Sequence, residues 1–177
     1  YLHNNYPKEM VELSVNYKST VFGFDWLGET IEGKAIPQNY WSDLWVKKLT
    51  QKMNRDSDFL AKEPAALAKQ RELQGELIQR ATPDSLHNGD YGKLCRKIDS
   101  LEEQWFAGSD YVALLDFNQK RDEMIAQNIV NFVKQHQGRR IVLVMGADHR
   151  TFAIEALENY FDADIRLLPI GTPLVNG

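Results

Sequence analysis

The sequence predicts an α/β fold, a parallel sheet core carrying a large helical insertion at about residues 39–115. Three observations lead there. Ile141-Val-Leu-Val-Met145 is a continuous apolar run, the pattern of a strand covered on both faces. It lies in a helix–strand–helix–strand order over 119–168, which implies parallel strands joined by crossovers. Residues 19–25, STVFGFD, form a further run rich in β-branched and aromatic side chains.

The elements follow in order. Residues 5–17 read as a short helix with Met10, Val11 and Leu13 apolar, and 19–25 as the first strand. Over 39–55, Trp41, Leu44, Trp45, Leu49 and Met53 recur at helical spacing. Residues 58–80 are dominated by good helix formers, with Pro64 near the start. ATPDSLHNGDYG at 81–92 reads as a loop from its turn residues. A helix over about 93–106 places Leu94, Ile98, Leu101 and Trp105 on one side. A helix at 119–136 is turned by QGRR into the strand 141–145. Gly146-Ala-Asp-His149 then turns into a helix over 150–161, and a last strand covers about 164–168. Three strands make a thin sheet, so either residues outside this chain or a second chain is expected to complete it. There is no internal repeat and no low-complexity tract.

At 177 residues the chain is expected to be a single α/β domain or a fragment of one. Its 43% hydrophobic content supplies a core. The net charge of −4, with acids and bases interleaved, lacks the basic footprint of a nucleic-acid binder. No apolar run approaches the roughly 20 residues that cross a bilayer. The lone Cys95 excludes an internal disulfide and, amid Leu94, Ile98 and Leu101, reads as buried filler. The chain opens on YLHNNYPKEM without an initiator Met and closes on PLVNG, as a trimmed piece would. A signal peptide would then lie outside it, which leaves the compartment open between cell envelope and cytoplasm.

Gly28-Glu-Thr-Ile-Glu-Gly33-Lys34 has the GxxxxGK spacing of a phosphate-binding loop. The position after the Lys, which needs a hydroxyl for Mg²⁺, is Ala35, and Pro37 lacks a backbone donor. Glu29 and Glu32 put negative charge where phosphate would sit; at ~4 Å that repulsion is several kcal/mol. The stretch reads as a glycine-spaced turn.

In parallel α/β sheets ligands gather at the carboxyl ends of strands. Asp25 ends the first predicted strand and Glu29 follows it. His149 sits at the turn after the second, where Asp148 is placed to cap the next helix. Arg121 shares a helical face with Ile125, Asn128 and Phe132, so it is expected to face inward and to need a partner. Each has a plainer reading. His149 suits a local hydrogen bond, Asp25 a turn cap, Glu29 a loop acid, and Arg121 a salt bridge to Asp122, Glu123 or an insertion acid. Together they suit acid–base or metal-assisted hydrolysis, though zinc usually takes three protein ligands. His3, His87 and His136 show no metal-pair spacing.

Arg121-Asp-Glu-Met-Ile-Ala-Gln-Asn-Ile129, then IVLVMGADH, resembles the C-terminal half of the TraB/GumN/Tiki-like superfamily. That family looks like R-N-x-x-M-A-x-x-I on a helix, an apolar strand, and G-x-x-H. Gly23-Phe-Asp-Trp-Leu-Gly-Glu29 is similar to its G-[LI]-E-x-x-x-[EQ] region, so three short motifs occur in order. Asp25 stands in place of the usual Glu, and Asp122 in place of the common Asn. The family's first half, with its own G-x-x-H, is not visible.

The resemblance implies that Asp25, Glu29, Arg121 and His149 share one cavity of a hydrolase, of the metal-dependent peptidase type. His149 would ligate a divalent Mn, Co or Zn or act as base, Arg121 would hold a carboxylate or oxyanion, and the partner would be a small-molecule or peptide substrate. A homo-oligomer or an N-terminal half beyond this chain would complete the site. The superfamily also takes in haem-binding ChaN-like and erythromycin-esterase-like proteins. A non-enzymatic binder of haem or another small molecule, using Trp41, Trp45, Trp105 and Phe106, is therefore the alternative, followed by an interaction domain with a satisfied salt-bridge cluster.

Overall fold

A computed structural model describes residues 8–17, 20–26, 44–82, 85–86, 89–161 and 166. They form helices α1 (Lys8–Asn16), α2 (Trp45–Met53), α3 (Ser57–Leu60), α4 (Ala65–Gln79), α5 (Asp90–Phe106), α6 (Val112–Gln135) and α7 (Ala147–Phe161). No β-strand occurs among the described residues.

The predicted helix over 58–80 is two helices. Pro64 lacks an N–H and disfavours helical geometry at Glu63, so the chain breaks there and α4 starts with Pro64 as its N-cap. Ahead of the break, the Asp56 carboxylate caps α3 by accepting from the Phe59 N–H at 3.0 Å. Phe59 then stacks on Trp105 at 4.5 Å and meets Tyr111 edge-on at 4.7 Å. With Leu67, Ile98, Leu101, Phe106 and Leu114 they make the first core. The polar edges of these aromatics are satisfied: Trp105 Nε1 donates to the Phe59 carbonyl and Tyr111 Oη to Asp56.

Helix α6 begins at Val112 rather than at 119, because Leu114 and Phe117 keep the apolar stripe going toward its N-terminus. It runs continuously through residue 115, where the predicted insertion ends. Its 24 residues span about 36 Å. Leu114 at one end belongs to the first core, while Ile125, Ile129 and Val130 join Ala153 and Leu157 of α7 in a second. Phe117, between them, is covered by Trp26 and Trp45.

The expected parallel sheet is overturned among the described residues. Residues 20–26 and 140–146 form no ladder, and each lies against helices instead. Phe24 packs on the second core, and its carbonyl accepts from the Asn128 side chain at 2.9 Å. Phe22 meets Phe132 at 4.9 Å. Leu143 and Met145 pack on the same core, whereas Val142 is 81% and Val144 48% exposed. An apolar run is compatible with a two-sided strand, but it becomes one only when backbone partners flank it. Here helices cover one face and nothing described covers the other. The third predicted strand, at 164–168, lies outside the described residues apart from Arg166. No helix is long and apolar enough to cross a membrane among the described residues.

Truncating either core tests this arrangement. Phe59→Ala in the first core should cost about 3–5 kcal/mol, and Ile129→Ala in the second about 2–5 kcal/mol. Urea unfolding followed by far-ultraviolet circular dichroism measures both.

Candidate functional site

Arg121 and Asp122 are consecutive on α6, so their side chains leave the helix roughly 100° apart. Each meets a different neighbour. Arg121 Nε and Nη2 donate to Asp25 Oδ1 and Oδ2 at 2.9 and 2.8 Å, a bidentate pair. Asp25 Oδ1 also accepts from the Trp26 N–H at 2.7 Å. On the other side Asp122 Oδ1 lies 2.5 Å from His149 Nδ1. Since a carboxylate only accepts, this contact places the proton on Nδ1 and leaves Nε2 of the neutral ring as the basic nitrogen. The imidazole is 27% exposed, so it reaches solvent from a partly sheltered position.

The first turn of α7 brings His149 here. Asp148, one residue earlier, turns toward α5 and α4: its Oδ1 accepts from Tyr91 Oη and from Gln74 Nε2 at 3.4 Å, with Cys95 Sγ at 3.7 Å. Helix α7 can approach α5 closely because residue 92 is glycine. A Cβ there would stand 2.5 Å from Thr151 Oγ1.

Burial, then the nearby Asp148 charge, pushes the Cys95 thiol up to about 11, so it is no thiolate nucleophile at neutral pH. Burial raises Tyr91 too, helped by its bond to Asp148. Asp99 of α5 is pushed up to about 6, first by burial and then by the charges of Glu102 and Asp122, with Arg96 opposing and Asp148 adding. Acidic side chains from α5, α6 and α7 (Asp99, Asp122 and Asp148) thus lie within electrostatic reach of one another.

Of the sequence-predicted site residues, Asp25 and Arg121 meet directly and His149 stands on the adjacent face of α6. Glu29 lies outside the described residues, as does the whole GETIEGK stretch. Among the described residues the inward Arg121 pairs with Asp25. Asp148 grips Tyr91 in addition to lying in the first turn of α7. Asp122, Tyr91 and Asp99 were not anticipated. For Asp122 a signal existed, since it departs from the resembled motif at the position beside Arg121.

The divalent metal implied for His149 does not fit the described donors. One imidazole nitrogen faces Asp122, both Asp25 oxygens face Arg121, and no group of three or more His, Cys, Asp or Glu gathers to hold an ion among the described residues. No family model, curated protein or solved structure matches the chain.

Asp99 makes stability depend on pH. Its folded proton affinity exceeds its unfolded one, near ~3.9, so its own contribution to stability is greatest below that value. It declines as pH rises through about 6, above which the full penalty applies. Asp99→Asn should therefore stabilise the chain at pH 7.5 by about 1 kcal/mol after solvent screening, and give no gain at pH 4. Urea midpoints at the two pH values measure this. A second test concerns the bidentate pair: a cycle of Asp25→Ala and Arg121→Ala should give a coupling of about 1 kcal/mol, read from unfolding free energies.

Proposed function

We propose that the chain is a hydrolase working by acid–base chemistry, with His149 as the general base and Asp122 as the residue that orients it. The observation that carries this reading is the 2.5 Å contact between His149 Nδ1 and Asp122 Oδ1. A carboxylate on Nδ1 fixes the tautomer, aims Nε2 outward and stabilises the imidazolium formed when Nε2 takes a proton. In this reading His149 Nε2 removes a proton from a water or hydroxyl attacking an ester or amide of a small molecule or peptide. It then returns that proton to the leaving group. Arg121 and Asp25 hold residues 20–26 against α6 beside the dyad, and the tie between Asp148 and Tyr91 fixes the turn of α7 that carries His149.

Turnover of a panel of p-nitrophenyl esters and quenched fluorescent peptides by wild type, Asp122→Asn and His149→Ala tests it. His149→Ala should lower kcat/KM by about 10²–10⁴-fold. Asp122→Asn should lower it too and raise the population of the Nε2–H tautomer in ¹⁵N spectra. Equal turnover by wild type and His149→Ala would refute the proposal.

A further inference from the structure

A cavity of about 410 Å³, separate from the His149 cluster, is lined by Lys48, Gln51, Lys52, Arg55, Asp56 and Tyr111. Lys48 and Lys52 stand four residues apart on α2, and Arg55 follows three further on, just past its end. That spacing brings three cations to one side of the helix, where like charges repel and weaken it. Among the described residues none of the three takes part in a salt bridge. In a chain of net charge −4 this is a local surplus, not a general basic character.

The acid in the lining does not cancel it. Asp56 accepts from the Phe59 N–H at Oδ1 and from Tyr111 Oη at Oδ2, at 3.0 and 2.6 Å, so both oxygens are engaged. Those bonds, the one from Tyr111 first, keep its carboxyl below the usual range. Tyr111 is 2% exposed and is locked in the first core, which gives the cavity a fixed wall. Lys52 Nζ stands 5.7 Å from the Tyr111 ring centroid, so one of the cations already has a defined seat.

We propose that this cavity binds a multivalent phosphate group, such as the di- or triphosphate of a small molecule. Its volume falls in the range of small-ligand sites. Arg55 offers a planar fork for two phosphate oxygens, while Lys48 and Lys52 supply point charges that follow a chain of phosphates. Gln51, between them, adds a neutral donor. This inference is independent of the acid–base reading at His149.

Titration of the 177-residue chain with inorganic tripolyphosphate, followed by calorimetry at about 50 and 200 mM salt, tests it. Saturable binding is expected, weakening at the higher salt. Lys52→Gln and Arg55→Gln should each reduce affinity at least tenfold, whereas Lys52→Arg and the distant Lys97→Gln should leave it within about twofold. All three positions are exposed, so circular dichroism should show unchanged folding. The inference is overturned by absence of binding at millimolar tripolyphosphate, by an equal loss in Lys97→Gln, or by citrate binding as tightly as tripolyphosphate.

Discussion

Helix α6 must bury apolar residues at both ends, and it does so in two different cores. Leu114 sits among the aromatics of α3 and α5, while Ile125, Ile129 and Val130 sit against α7. A helix of this length gains little from its own propensity, and packing along its faces supplies most of its stability. Several other segments take position from it. The turn at 136–139 sends the chain back along α6, residues 20–26 lie along it, and α7 packs beside it. The polar groups lie between the two cores, on the stretch of α6 where no continuous apolar partner covers the helix.

That placement explains the pairing of charges. Carboxylates beside a core need cations or donors in place of the water they lose. Asp25 has the fork of Arg121, Asp122 has the His149 imidazole, and Asp148 has Tyr91 and Gln74. Asp99 lacks equivalent compensation, and its carboxyl is the one that burial and neighbouring charge drive upward. The cavity beside α2 shows the opposite sign, three cations with one committed acid. The described chain therefore holds two electrostatically distinct regions, one built around an imidazole and one around a cationic face.

The helices were legible in the sequence because their signals are local. Ile98, Leu101 and Trp105 line one face of α5 at helical spacing, although the break at Pro64 was missed. The inward face of Arg121, Ile125, Asn128 and Phe132 was legible for the same reason, and residues 22–25 are what cover it. The strands were not, because a strand is a relation between segments. IVLVM carries the residue types of a buried strand, yet its neighbours are helices and its Val142 and Val144 face outward. Asp122 was passed over as a departure from a motif, since nothing in its local pattern announces that α7 will deliver an imidazole to it.

By itself, then, the sequence determined roughly where helices lie, which of their faces are apolar, and that Arg121 stands on an inward face. Those properties depend on residues within a few positions of one another. Only the tertiary structure decided that Asp25 is the partner of Arg121 and that Asp122 is the partner of His149. It also decided that the cations behind α2 share a cavity with Tyr111, and that residues 20–26 and 140–146 rest on helices instead of on each other. Such choices turn on contacts between residues far apart in the chain, whose free energies are set by what each segment finds when the cores close.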